Sequence, residues 1–172
     1  FIDNKLSFNK HVDFLVTKCS SRLFLMRKLK TIGLDEPGLL TFYLTNIRSI
    51  LAYAAPAWFS LLGDQICERL EKVQRAALKV ITPDLEYQER LECLHILRLS
   101  DFLFDISYAH FPKIVDNKSH PHFSKLIFNN SSRTSSRAKC IFRPKLCRTE
   151  KRRKSFFNFF MTYHDNRLVY NE

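Results

Sequence analysis

The residues with the clearest chemical potential are the lysines and arginines between positions 133 and 154. Ten cations stand there against one acid, Glu150. Because Lys and Arg neutralise the phosphates of a nucleic-acid backbone, such a density predicts contact with RNA or DNA. These residues, called the basic tract below, are Arg133, Arg137, Lys139, Arg143, Lys145, Arg148, Lys151, Arg152, Arg153 and Lys154.

A second, weaker set of candidate phosphate contacts lies near the amino end. Lys10 and Lys28 are its leading members, because they stand opposite the apolar face of a predicted helix. The wider set adds Lys18, Arg22, Arg27 and Lys30. Cations spread around one helix cannot all face one duplex, so this set ranks below the basic tract.

Catalytic and metal-binding chemistry find little support in the sequence. Cys140 and Cys147 are separated by six residues, a spacing that matches none of the usual short zinc motifs. Asp101 and Asp105 resemble an acid–base pair, but no nucleophile or Gly-rich phosphate loop accompanies them. We therefore predict no catalytic residue, no metal ligand, no cofactor and no small-molecule ligand in this chain.

The distribution of charge agrees with a polyanionic partner. The chain has 172 residues and a formal net charge of +11. Residues 1–30 carry seven Lys or Arg against two acids, and residues 131–172 carry eleven against three. The positive charge is therefore concentrated at the two ends, which attracts phosphate backbones whatever the fold.

Compartment is predicted from the cysteines and the apolar runs. Five scattered cysteines do not resemble a secreted disulfide framework. No apolar run approaches the roughly 20 residues that a membrane span needs, and the amino end lacks the layout of a secretory signal. We expect an intracellular protein, cytoplasmic or nuclear, that is neither secreted nor bound to a membrane.

The spacing of apolar residues predicts a mainly α fold: a helical bundle with a short amino-terminal strand and a basic, partly irregular carboxy-terminal tail. We divide the chain into a strand (1–8), a helical bundle (9–117), a polar linker (118–137), and the basic tract with a terminal aromatic helix (138–172). The aromatic residues of that last helix are expected to dock on the core rather than to stack on bases.

Several local features make the bundle prediction specific. Asp35 is expected to cap a second helix, and Pro56 to end it by disfavouring helical geometry at Ala55. In the third helix, Glu71 is expected to pair with Arg75 on the solvent face, four residues apart. A like-spaced pair is expected between Glu68 and Lys72.

Five blocks of the chain carry a resemblance to a known family. They are "IDNKLSFNKHVDFL", "LFLMRKLK", "LLTFYLTNIRSILAYAAPAW", "LEKVQRAALKVI" and "CRTEKRRKSFFN". In this order they resemble the region after the palm in reverse transcriptases of non-LTR retrotransposons of the jockey and chicken-repeat type. The resemblance implies that residues 1–8 end the palm and that residues 9–117 form the thumb, which grips the template–primer duplex.

The same resemblance implies partners and a metal that belong to the parent enzyme. The partners are RNA and DNA, together with the missing palm and fingers, and Mg²⁺ would serve the parent polymerase. The paired aspartates that bind this metal are absent from the chain, so it should not polymerise DNA alone. Ala52 stands where relatives commonly have Glu, which predicts that Arg48 points to solvent or phosphate, or that the copy has decayed.

Two other interpretations stay open. One is a standalone, non-enzymatic nucleic-acid-binding module. The other is kinship with the segment named for the amino-terminal region of an AlkB-homologue tRNA-modifying protein. The chain has neither an iron-binding H-x-D…H set nor a Gly-rich cofactor loop, so we rank this interpretation last.

Overall fold

The structure is a computed structural model that describes residues 8–128 and 141–170, and within these ranges it is mainly helical. The helices are α1 (Asn9–Thr31), α2 (Glu36–Tyr43), α3 (Ser49–Ala52), α4 (Ala55–Trp58), α5 (Asp64–Ile81), α6 (Tyr87–Cys93), α7 (Leu99–Tyr108), α8 (His110–Asp116), α9 (Glu150–Arg153) and α10 (Phe156–Tyr170), with a π turn (Leu44–Arg48) and two 3₁₀ turns (Phe59–Leu61 and Phe123–Lys125). The predicted mainly α fold is confirmed. The predicted strand lies almost wholly outside the described residues, which begin at the buried Phe8.

Helices α1 and α5 form the framework of the bundle and run parallel. Asp13, near the start of α1, pairs with Arg69 near the start of α5. At the other end, the Lys30 ammonium donates hydrogen bonds to the carbonyls of Val80 and Ile81, the latter at 3.2 Å. Lys30 therefore caps the carboxy end of α5, where the last carbonyls lack partners within the helix.

The buried face of α1 follows the predicted helical period. Its buried residues are Val12, Leu15, Cys19, Leu23 and Met26. The helical spacing alone places all five on one face, together with the half-buried Val16. No described helix is both long and apolar enough to cross a membrane.

A π turn sits inside the second helical segment. Asp35 caps α2 by accepting a hydrogen bond from the Gly38 backbone N–H at 3.1 Å, as predicted. The fully buried residues then recur at every fourth position, Leu39, Tyr43, Ile47 and Leu51. A regular α-helix would rotate such a series off the core, and the wider π turn keeps it on one face.

The predicted role of Pro56 is wrong. Helix α3 ends at Ala52, and the chain turns through Ala54, which has a left-handed φ of 53°. Ala55 is helical, and Pro56 lies in the first turn of α4, where its missing N–H costs nothing. Trp58 follows with 2% of its surface exposed, and its indole N–H donates to the Tyr53 carbonyl at 3.0 Å.

A buried polar network replaces the expected surface pairs of α5. The Glu71 side chain is 2% exposed and accepts hydrogen bonds from the Tyr87 hydroxyl and from the backbone N–H groups of Leu99 and Ser100. The predicted Glu71–Arg75 and Glu68–Lys72 pairs are therefore wrong. Arg75 instead contacts Glu68 at 3.2 Å.

Gln74 extends this network to the second helical segment. It accepts a hydrogen bond from the Tyr43 hydroxyl at 2.5 Å, and it donates to Tyr87 and to the Leu97 carbonyl. Burial raises the pKa of both Tyr43 and Tyr87, so both hydroxyls keep the proton that they donate. The network joins α2, α5, α6 and α7.

A second hydrophobic cluster forms where α8 meets the carboxy-terminal region. Its buried members are Phe111, Ile114, Leu126, Phe142, Phe160 and Met161. An isolated antiparallel bridge joins Phe128 to Phe142 beside it. Phe160 of the aromatic helix docks on this cluster, with its ring 5.8 Å from that of Tyr108, whereas Phe157 is only half-buried.

Candidate nucleic-acid interface

The basic tract is described from residue 141 onward, so Arg133, Arg137 and Lys139 lie outside the described residues. Of the seven remaining cations, six are exposed to solvent: Arg143, Lys145, Arg148, Lys151, Arg152 and Arg153. Lys154 is half-buried and pairs with Glu150 at 2.9 Å. The tract thus presents most of its described cations to solvent, as a surface for phosphates requires.

Two anchors hold the tract against the second cluster. At the first described residues of the tract, the Asp165 carboxylate accepts hydrogen bonds from the backbone N–H groups of Ile141 and Phe142, at 2.9 Å and 3.0 Å, while the Phe142 side chain is buried. Near its end, the Asn158 amide donates to the Arg152 carbonyl at 2.9 Å. The described part of the tract is therefore held at residues 141–142 and at Arg152, and its exposed cations extend from this backbone.

The electrostatics of the tract follow from these contacts. The Lys154 ammonium donates a hydrogen bond to Glu150, which raises the pKa of Lys154 and lowers the pKa of Glu150. Asp64, the first residue of α5, adds to the rise in the pKa of Lys154. Lys154 therefore already interacts with acids of the chain itself, which makes it less available to a phosphate.

The α1 cations divide into different roles. Lys30 caps α5 and is removed from the candidate set. Lys10, Lys18 and Lys28 fall within about 80° of one another on the helical wheel, on the side facing away from the core. Arg27 lies on another side of the helix and is not part of this group of lysines.

Two aromatic rings accompany these lysines on the outer face of α1. The Lys18 ammonium lies 5.9 Å from the centre of the Phe14 ring, and the Lys28 ammonium lies 5.6 Å from that of Phe24. Lys10 and Lys28 are separated by about 27 Å along the helix axis. This face is a second exposed basic surface, with Lys10 at the end of α1 where the Asp13–Arg69 pair also lies.

The expectation that Arg48 points to solvent or phosphate is wrong. Its guanidinium lies 3.7 Å from the centre of the Phe102 ring, and the side chain is half-buried. Burial lowers the pKa of Arg48, and its Nε is buried without a hydrogen-bond partner among the described residues. Arg48 is therefore a packing residue, and the contact was invisible in sequence because Phe102 lies far along the chain.

The described residues do not fit a catalytic metal centre. Within 8–128 and 141–170, no group of three or more His, Cys, Asp or Glu side chains is placed to hold a metal ion. The arrangement that remains is a helical body with exposed cations on a tethered segment and on one helix face.

The chain matches no known family model, no curated protein and no solved structure.

Proposed function

We propose that this chain is the thumb and downstream region of a non-LTR retrotransposon reverse transcriptase. In this role it grips a template–primer duplex through phosphate contacts, without the catalytic palm. The proposal rests on the resemblance of the five sequence blocks and on the chemistry of the basic tract. Its partners would be RNA, DNA and the palm and fingers of the parent protein, in the cytoplasm or the nucleus.

One observation carries the proposal: six described cations of the tract are exposed on a segment that Asp165 and Asn158 hold in place. Four of these six are arginines, whose planar guanidinium contacts two phosphate oxygens at once. Preorganised backbone anchoring lowers the entropy lost when the segment binds. An exposed helix face that contacts only water does not require so many cations with so few acids among them.

The mechanism is backbone gripping. Each cation that neutralises a phosphate releases a condensed counterion, so affinity falls steeply with salt and depends little on sequence. An A-form hybrid exposes its phosphates along the edges of its grooves. The tract would contact these phosphates and not the base edges, so it would recognise the charge and shape of the duplex. The outer face of α1 would add contacts through Lys10 and Lys28.

A standalone nucleic-acid-binding module is the second candidate, and the same exposed tract supports it. The two differ in what precedes Phe1 in the gene. An open frame running into a paired-aspartate polymerase motif favours the reverse transcriptase, and a frame closed by stops favours the module. The AlkB-homologue interpretation ranks last, because no described group of side chains is placed to hold iron.

The test is a charge-removal variant with a matched control. We expect replacement of Arg148, Lys151, Arg152, Arg153 and Lys154 by Ala to weaken binding to duplex DNA and to an RNA–DNA hybrid alike, at one fixed salt concentration. The control removes five exposed cations elsewhere, Lys72, Lys79, Arg98, Lys118 and Lys125, and so lowers the net charge equally. Equal weakening in both variants would show a general charge effect and would refute a grip by the tract.

A further inference from the structure

A groove of about 530 Å³ lies beside the start of α10. Its walls come from α4, α8, the turn at 117–122 and the first residues of α10. The residues that matter for its chemistry are Pro56, His110, Lys113, His120, His122 and Phe157. Three regions that are distant in sequence, α4, α8 with the turn after it, and the start of α10, therefore build one concave surface.

The groove is apolar inside and positive or neutral at its polar positions. Lys113 is exposed, three imidazoles line the walls, and no carboxylate is among the lining residues. The His122 ring stands edge-on to the Phe157 ring, with 6.0 Å between the ring centres. The groove therefore suits an anionic ligand with a flat apolar part, because Lys113 and the imidazoles match the charge and the Phe157 ring matches the flat part.

The turn that carries two of the histidines has a defined geometry. The Nδ1 atom of His120 accepts a hydrogen bond from the backbone N–H of His122 at 3.2 Å. In the neutral ring this leaves Nε2 as the N–H group of His120. The wall therefore offers a hydrogen-bond donor beside an aromatic surface.

We infer that this groove binds an unpaired base of a single strand that extends from the duplex. This inference rests on the proposed function, because the duplex is what the basic tract would hold. Phe157 lies three positions after Lys154, the last cation of the tract, in the first turn of the helix that follows it. The groove therefore begins within a few residues of the end of the tract, where a strand extending from a bound duplex would reach it.

The physical argument for a base is stacking. Every base has a flat face that can stack on an aromatic ring. In a duplex, both faces of a paired base are already stacked on the neighbouring bases. The volume of the groove lies within the range of small-molecule sites, which is enough for one nucleotide. Lys113 and the imidazoles would contact the phosphate of the same nucleotide.

The test compares a blunt RNA–DNA hybrid with the same hybrid carrying a short single-stranded extension, by fluorescence anisotropy of a labelled strand. We expect the extension to raise the affinity of the unmodified chain about tenfold, the size of one base stacking on an aromatic ring. Phe157→Leu keeps the apolar volume and removes the aromatic face, so it should abolish that preference and leave binding of the blunt hybrid unchanged.

Two further variants make the result specific. Phe128→Leu changes another aromatic residue beside the second cluster, outside the groove, and should keep the preference. His122→Ala removes an exposed groove residue with little risk to folding and should reduce the preference. Trp58, the chain's one tryptophan, directly follows the groove residues Pro56 and Ala57, so its emission gives a second measurement of binding.

The outcomes separate this inference from the proposed function. Equal affinity for the blunt and extended hybrids, or a preference that survives in Phe157→Leu, would overturn the base-binding groove while the duplex grip stands. Binding of the extended strand without binding of the blunt hybrid would support the groove and refute the duplex grip. Binding of neither refutes both.

Discussion

The carboxylate of Glu71 accepts a hydrogen bond from the backbone N–H of Ser100 at 3.2 Å. Through this contact a residue in the middle of α5 caps the amino end of α7, whose first N–H groups have no partner within their own helix. The positive end of the helix dipole also favours the negative charge there. The link joins the parallel pair α1 and α5 to the helix that leads towards the second cluster.

Replacement of Glu71 by Gln should lower the free energy of unfolding by about 2 kcal/mol, because an amide NH₂ would face backbone N–H donors where a carboxylate oxygen now accepts. Urea unfolding measures this change. The control is Glu68→Gln, which removes only the exposed pair with Arg75 and should cost less than about 1 kcal/mol. Equal losses in the two variants would contradict a capping role for Glu71.

Lys30 and Lys28 should separate stability from binding. Lys30→Met removes the donor to the last carbonyls of α5 and should cost about 1 kcal/mol in the free energy of unfolding. Lys28→Met should change stability by less than about 0.5 kcal/mol and weaken duplex binding, because Lys28 is exposed on the outer face of α1. Thermal unfolding and a binding titration on both variants test this, and a reversed pattern would refute the assignment.

Ala52→Glu should stabilise the protein by about 0.5–1 kcal/mol. The new carboxylate would stand one turn after Arg48, whose Nε is buried without a partner among the described residues. Ala52→Gln is the neutral control and should give a smaller gain. No gain from Glu over Gln in the melting temperature would contradict an ion pair between the new carboxylate and Arg48.

Asp165 should make stability depend on pH. Burial raises the pKa of this carboxyl above its ordinary value, against the smaller opposing effect of the N–H groups of Phe142 and Ile141. Its contribution to stability is therefore fully present below the unfolded pKa of about 3.9 and is lost as pH rises through the folded pKa. Asp165→Asn keeps an acceptor oxygen and removes the titration.

The measurement for Asp165 is the free energy of unfolding of both proteins from pH 4 upward. Relative to Asp165→Asn, the unmodified chain should lose stability as the pH rises above the unfolded pKa. A difference between the two proteins that stays constant over this range would contradict the direction of the shift.

The sequence predicted the helices well where the spacing of apolar residues within one helix determines which residues are buried. The five buried residues of α1 follow the helical period, and Asp35 caps α2 by the ordinary chemistry of its side chain. The failures occur where a distant partner decides. Glu71 and Arg75 are four residues apart, which is typical of an ion pair on an exposed helix face. The Glu71 carboxylate instead accepts hydrogen bonds from the backbone N–H groups of Leu99 and Ser100.

For the candidate interface too, local features could be predicted from the sequence and contacts with distant residues could not. The density of cations marked the basic tract in the sequence, because charge is a local property. The sequence could not show that Lys30 caps α5 or that Arg48 lies on Phe102. The pair between Glu150 and Lys154 could have been predicted, because the two residues have the i,i+4 spacing of a helical ion pair. The groove could not be predicted, since its walls come from three separate regions.

The most direct test of the central claim is the salt dependence of duplex binding. The logarithm of the binding constant for a duplex is measured against the logarithm of salt concentration, for the unmodified chain and for the variant lacking Arg148, Lys151, Arg152, Arg153 and Lys154. Each phosphate neutralised contributes a slope of about −0.9 on B-form DNA. We predict a steep slope for the unmodified chain and a slope flatter by about three units or more for the variant. Identical slopes would contradict a grip through the basic tract.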